Sequence, residues 1–416
     1  MRTPLGAFTF IAIVLLLDFY IFQAIKAVSD SAAPKAKSII YITYWVITFL
    51  IIIGFLLFIF TDPDYFPKII RTYFFAIIIG LFLAKITAVF FLTIDDLRRA
   101  VQWITMKIFN KPASVSAVTD NGISRSVFLS WLGLAAGGGI FGSLLYGFGN
   151  KYNYDVKRVK LSFDNLPAGF KGLKILQISD IHSGSFTDIK AVQHGVEMII
   201  KEEVDLILFT GDLVNNMSSE MEPYIHLFSK LNAPLGVYSV LGNHNYGDYI
   251  RWPQDGLSKE GNLEKLKNIH ANMGWRLLLN EHVVLKKEGD EIALLGIENW
   301  GSKARFTKYG KMDLAYVGTE KYPFKILMSH DPSHWEAQVL PEYPAVDLML
   351  SGHTHGMQFG VNLPGFKWSP VQYMYKQWSG LYKSGKQQLY VNPGFGFIGY
   401  PGRVGILPEI TILELS

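Results

Sequence analysis

Four apolar stretches, at about 5–25, 38–61, 72–94 and 126–149, commit the first 150 residues to lipid. Each meets the roughly 20 mainly apolar residues that a helix needs to cross a bilayer. The first has no small-residue cleavage site and is followed by three more spans, so it reads as an anchor rather than a removable signal. Composition agrees, since 50% of the 416 residues are hydrophobic, a high share for a chain without lipid contact.

Asp18 in the first stretch and Lys85 in the third each lie thirteen residues from the start of their stretch, ~20 Å of helical rise. The first and third helices of a bundle run parallel, so both charges come to one depth. An isolated charge there is costly, and the spacing therefore predicts an Asp18 to Lys85 ion pair inside the bundle. Gly133, Gly137, Gly138 and Gly142 form small-xxx-small patterns that predict close helix packing within the chain. Leu97, Val101, Ile104 and Ile108 recur at helical spacing beside Arg98, Arg99 and Lys107, which predicts a separate amphipathic helix on the membrane surface.

Basic residues in short loops orient such bundles. Lys26, Lys35 and Lys37 in the first loop and Arg98, Arg99, Lys107, Lys111 and Arg125 in the third outweigh Arg2, Lys68 and Arg71 on the other face. That count puts both termini, and the catalytic half, on the extracytoplasmic side of the cell membrane. Lys151, Lys157, Arg158 and Lys160 after the last span narrow the bias.

The pattern then changes. Over 155–416, short apolar runs alternate with helical segments, which marks an α/β domain distinct from the membrane domain at 1–150. Runs at 174–180, 205–211, 236–241, 324–329 and 347–351 read as buried strands, with helices at 189–203 and 219–231. Just past the strand ends stand Asp180-Ile181-His182, Gly211-Asp212, Gly242-Asn243-His244, His330 and Gly352-His353-Thr354-His355. Open α/β sheets place their sites there, because diverging loops leave a crevice.

Two carboxylates, one carboxamide and five imidazoles make a ligand set for two divalent cations. Such ions sit about 3.5 to 4 Å apart, share a carboxylate and clamp a phosphate ester between them. Imidazole and oxygen donors suit Mn, Fe, Zn or Mg. The chain has no cysteine, which excludes disulfides, thiolate nucleophiles and zinc fingers. A net charge of only +4, with no basic tract interleaved with aromatics, excludes a nucleic-acid partner. One Asp-x-His turn arises by accident; five such pieces in order at strand ends point to an enzyme.

These residues resemble the calcineurin-like metallophosphoesterase superfamily, whose motifs run D-x-H, G-D, G-N-H, a later H, then G-H-x-H. The resemblance covers roughly 173–416 and leaves out the four spans. It implies a four-layer αββα sandwich with a dimetal site at one edge, preceded here by the all-α bundle. It also implies that Asp180, His182 and His355 hold one ion, that Asp212 bridges, and that Asn243, His330 and His353 hold the other. His244 would face the leaving-group oxygen as general acid or phosphate contact. Two departures stand out. Asn245 occupies the place of a common acidic residue, which leaves His244 without its expected orienter, and Asn216 is a weaker substitute for a second Asp after Gly211-Asp212 as a substrate contact.

Within the superfamily the similarity is to a membrane-linked branch related to the UDP-2,3-diacylglucosamine hydrolases of lipid A synthesis. It rests on 178–184, on 211–215, and on a tail from Asn392-Pro393-Gly394-Phe395-Gly396 through Pro401-Gly402-Arg403. In that tail Arg403 is either a charge clamp on substrate phosphate or a surface arginine on a tight turn. Phe395, Phe397 and Tyr400, with Trp368 and Trp378, either line an acyl groove or fill a core. His194, His226, His270, His282 and His334 are expected to be solvated or locally hydrogen-bonded. The expected function is a membrane-anchored phosphoester hydrolase acting on an amphiphilic, lipid-linked phosphate ester. A general envelope-facing phosphodiesterase is the alternative; a decayed, non-enzymatic domain is opposed by the intact ligand set.

Overall fold

The computed structural model describes residues 4–62, 65–108, 124–252, 256–303, 306–363 and 365–416. Arg2 and Lys111, counted above for orientation, lie outside the described residues. The chain divides into two compact units, Met1–Tyr146 and Gly147–Ser416.

The first unit is built of α1 (Pro4–Val28), α2 (Pro34–Phe60), α3 (Lys68–Ile108) and α4 (Arg125–Gly147). All four are long and apolar enough to cross a membrane, and the protein is a multi-pass membrane protein. Leu16, Phe49 and Phe90 turn outward with more than half their surface exposed, as helices that are apolar all round do in lipid. Inside, Lys85 Nζ lies 2.8 Å from an oxygen of the fully buried Asp18 carboxylate. The Tyr44 hydroxyl of α2 donates to the same carboxylate at 2.5 Å, a third member that spacing alone did not give. The fourth span packs as predicted through Gly133 and Gly137, but not through Gly138 and Gly142. A Cβ on Gly137 would stand 2.5 Å from the Ala84 carbonyl oxygen and one on Gly133 would stand 3.0 Å from that of Ala88, whereas Gly138 and Gly142 meet nothing within 4 Å.

One expectation is corrected. The amphipathic stretch is not a separate surface helix but the end of α3, which runs unbroken for 41 residues, ~60 Å of rise and about twice the hydrocarbon thickness. Nothing at its polar girdle stops a helix, and the girdle supports it, since Arg98 pairs with Asp95 at 2.8 Å one turn back.

The second unit carries β1 (Asp155–Leu161), β2 (Lys174–Ile178), β3 (Leu206–Phe209), β4 (Val237–Ser239), β5 (Arg276–Leu277), β6 (Glu281–Lys287), β7 (Asp290–Gly296), β8 (Lys325–Met328), β9 (Leu348–Ser351), β10 (Val361–Leu363), β11 (Phe366–Trp368), β12 (Gly380–Ser384), β13 (Gln387–Val391) and β14 (Glu409–Leu415). Two six-stranded mixed sheets form, in the orders β1-β14-β2-β3-β4-β5 and β12-β13-β9-β8-β7-β6, and β10 pairs with β11 as a small hairpin. Successive residues of a strand face opposite sides, so its uninterrupted apolar runs serve two cores at once. Ile175, Leu206 and Leu208 face Leu294, Ile326 and Leu350 between the sheets. Their neighbours Leu176, Ile207 and Phe209 turn outward to α5 (Ile189–Ile200), α6 (Ile225–Phe228) and α7 (Lys259–Asn272). Beyond the other sheet, Leu295, Leu327 and Met349 pack on Met312, Trp335 and Val339. The result is the four-layer αββα sandwich. The helix expected at 219–231 is instead a 3-10 run, Ser218–Tyr224, leading into the single α-turn of α6. Pro223 sits inside that run and has no N–H to give the α ladder.

Candidate metal centre

Each chemistry-bearing residue follows the carboxyl end of a strand. Asp180 and His182 follow β2, Asp212 follows β3, Asn243 and His244 follow β4, His330 follows β8, and His353 and His355 follow β9. The first three strands belong to one sheet and the last two to the other, so the site lies where the two sheets present the same edge. Cross-sheet bonds join them. The His353 amide donates to the Asp180 carboxylate at 2.9 Å, and the Gln177 side chain to the Ser351 carbonyl at 2.9 Å.

The turns after these strands are unusually tight. Asp180, His182, Asp212, His353 and His355 all hold left-handed backbone, with φ of 52, 47, 61, 73 and 51°, a region that costs a residue with a Cβ on the order of 1–3 kcal/mol. The glycines of the motifs have a matching cause. A Cβ on Gly211 would come 2.8 Å from His330 Nδ1, and one on Gly352 would collide with Ser179 and the Asp180 carboxylate.

Two groups of side chains result. Asp180, His182 and His355 bring one ligand atom each within 4.8 Å of one another, and so do Asp212, His330 and His353. Asp212 stands between the groups: one of its oxygens is 3.1 Å from His330 Nε2 and 3.6 Å from His182 Nε2. Both nitrogens of His182 and Oδ1 of Asn243 are buried with no hydrogen-bond partner among the described residues, and His355 Nε2 stands 3.2 Å from Asp180 Oδ1. Buried polar atoms of native proteins rarely lack a partner, and these orphaned lone pairs, converging with two carboxylates, fit two divalent cations. Electrostatics in the protein alone point the same way. Burial would raise Asp180, yet His355, His330 and His182 hold its carboxyl well below the usual range. Burial drives His182 down to about 3. For His330 burial is outweighed by Asp212 and Asp180, which lift it to about 9.

The remaining ring nitrogens are fixed from behind, as ligand imidazoles require. His330 Nδ1 lies 2.8 Å from the Thr210 carbonyl, leaving Nε2 for the site. His353 Nε2 meets the Tyr375 hydroxyl at 3.0 Å, leaving Nδ1. His244 Nδ1 lies 2.8 Å from the Asn215 carbonyl, while its amide donates to Asp212 at 2.9 Å. His244 therefore has an orienter, though not from the position the sequence pointed to. Asn245 instead accepts from the amides of Asp212 and Gly242, tying two site turns together. Asn243 donates to the Tyr249 hydroxyl at 2.8 Å. The Asn216 carbonyl accepts from Asn262, and its side-chain Oδ1 is buried with no hydrogen-bond partner among the described residues.

Arg403 is corrected. It is fully buried and spends its guanidinium on the carbonyls of Pro393, Gly394 and Gly396 and on His355 Nδ1, 3.3 Å away. No face of it is left to clamp a phosphate; it holds the tail against a candidate ligand. Phe395, Phe397 and Trp378 are buried core, not groove. His270 and His334 are buried rather than solvated; His334 is held by Ser329 and Gln338.

Comparison with known proteins adds to this geometry. Residues 1–150 match the model of a probable calcineurin-like phosphoesterase transmembrane domain, and residues 173–357 that of calcineurin-like phosphoesterases. An uncharacterized metallophosphoesterase of Bacillus subtilis, YkuE, is 30% identical over 60% of this chain and 82% of its own length. A transmembrane protein with metallophosphoesterase domain from Danio rerio is 30% identical over 62% of this chain and 56% of its own. The phosphodiesterase YaeI of Escherichia coli is 28% identical over 58% and 82%. The chain thus spans most of the bacterial pair and just over half of the fish relative.

Proposed function

The chain belongs to the calcineurin-like metallophosphoesterases, and from that membership we propose that it hydrolyses an amphiphilic phosphate ester or pyrophosphate, of the class of UDP-2,3-diacylglucosamine, at the bilayer that anchors it. The observation that carries this reading is the union of two buried Asp/His groups with four lipid-facing helices on one chain. An anchor of that size serves catalysis when the substrate is itself held in the membrane.

In this reading Asp180, His182 and His355 would hold one cation and Asn243, His330 and His353 the other, with Asp212 shared between them. Bound there, the cations would supply charge neutralisation for the phosphate and a lowered pKa for the attacking water. His244, its Nδ1 fixed on the Asn215 carbonyl, presents Nε2 to the leaving-group oxygen and gives up a proton there.

The basic-residue count favours a second reading, a phosphodiesterase facing the envelope space, since it puts the catalytic unit outside while lipid A precursors are made inside. One experiment separates them. The full chain in sealed liposomes with Mn is offered a diacylated nucleotide sugar and a water-soluble phosphodiester, and protease is added from one side. The first reading expects the diacylated compound to be turned over at least tenfold more efficiently, roughly the yield of one or two buried methylenes; equal or reversed preference selects the second.

A further inference from the structure

The hairpin of β10 and β11 leaves large apolar side chains uncovered at its tip. Val361 lies opposite Trp368 and Leu363 opposite Phe366, and cross-strand partners share a face with residues two along. One face is therefore entirely apolar; it is half-buried at Val361 and Trp368 and open to solvent at the tip, where Leu363 is 62% exposed and Phe366 59%. The other face carries Asn362 and Lys367. Lys367 sends its ammonium back over the Trp378 ring, 4.3 Å from the centroid, and onto the Ser379 carbonyl. A hairpin on a water-soluble surface rarely leaves two large apolar side chains uncovered at one tip. Tyr373 and Met374, 78% and 57% exposed, extend the patch from the neighbouring turn.

The surroundings identify what covers it. Gln358, at the foot of the hairpin, holds the carbonyls of Tyr400 and Gly402, and Gly360 donates to Val404. The same loop receives the end of the fourth span: Arg403 donates to the Gly147 carbonyl, Asn150 to the Arg403 carbonyl, and Phe148 packs on Tyr400, all within the second unit. The apolar face is thus continuous, through one loop, with residues that leave the bilayer. It is equally continuous with the candidate metal centre, since the hairpin follows His355 directly and Tyr375, next to Met374, bonds His353.

We propose that this hairpin and the Tyr373–Met374 turn insert into the bilayer surface beside the metal centre, so that the site takes its substrate sideways from the membrane plane. The inference rests on the amphiphilic-substrate reading for its consequence but not for its evidence. Apolar side chains at such a surface bury into the headgroup boundary.

The chain has no cysteine, so Leu363→Cys and Phe366→Cys each place a single nitroxide label on the full chain in phosphatidylcholine/phosphatidylglycerol liposomes. Collision with dissolved oxygen should exceed collision with a water-soluble nickel complex by roughly threefold, as at a site in the acyl boundary, whereas Lys265→Cys on α7 should show the reverse. Nickel access at 363 and 366 equal to that at 265 overturns the docking surface, and so does dipolar broadening between labels, which would mean that a second copy covers the patch. In the second arm, Leu363→Asp with Phe366→Asp should lower kcat/KM for a bilayer-borne phosphodiester about tenfold, and leave a soluble one unchanged, through weakened surface binding. Shielded labels with unchanged rates on both substrates keep the docking surface and overturn the amphiphilic-substrate reading alone.

Discussion

His244 is the residue where position and role can be separated by one experiment. It contributes no atom to either group of candidate ligands, yet its amide bonds Asp212 and its ring is aimed by the Asn215 carbonyl. His244→Ala should lower kcat by about 10²–10⁴, the range of a positioned acid, with the metal content of the purified protein unchanged. Parallel loss of metal would make it a ligand. The candidate ligands that the fold brings together were legible in the sequence, because Asp and His carry their chemistry in the side chain and stand at strand tips. Their orienters were not, since the carbonyls of Thr210 and Asn215 belong to the backbone, which has no residue code. Arg403 was misread for a related reason: a glycine-rich tail reads as an exposed turn, and only the packed structure shows its guanidinium buried among carbonyls.

His270 makes a second test at this scale. It is fully buried between Phe209 and Trp275, with neither ring nitrogen partnered among the described residues, and burial drives it down to about 3. The unfolded chain takes up this proton near pH 6.5 and the native chain does not, so stability is intact above that pH and falls by ~1.4 kcal/mol per unit as acid is added. Between pH 7 and 5 the His270→Phe protein should lose about 2 kcal/mol less than the parent in denaturant titrations. Identical acid limbs would show that His270 is protonated in the fold.

Among the elements, the contact of α3 with α4 is the most exacting. Gly133 and Gly137 lie against the Ala88 and Ala84 carbonyls, and close backbone approach is what holds helices together where lipid offers no hydrophobic drive. Gly137→Leu should destabilise the bundle by about 1–3 kcal/mol, the usual result of overpacking, while Gly138→Leu, facing open space, should be near neutral. Steric-trap unfolding in bicelles would measure both, and equal effects would contradict the packing described. Periodicity identified the four spans and the five strands that lead into the site, β2, β3, β4, β8 and β9, since each is mainly apolar; it did not give strands rich in charge such as β1 and β6. It failed where two patterns abut without a breaker, as at the polar girdle of α3, and where one proline turns an apolar segment into a 3-10 run, as at Pro223.

For the molecule as a whole, cations bound by both sheets should act as a clasp. Ligands come from three strands of one sheet and two of the other, so binding favours the assembled sandwich by about 2.7 kcal/mol at a hundredfold excess over Kd. Removing metal with a chelator should lower the Tm of the second unit by several degrees in a tryptophan-fluorescence melt, and Mn should restore it; a melt indifferent to chelation would argue against resident cations. The buried Asp18 and Lys85 bear on how the protein is made. They are separated by 67 residues of chain, so the ribosome delivers the aspartate well before its counter-ion. Until then the first segment carries an uncompensated charge worth roughly 2.5–3.5 kcal/mol against insertion. The Tyr44 hydroxyl of the second segment is the first partner the aspartate meets, and the ammonium of the third completes the cluster.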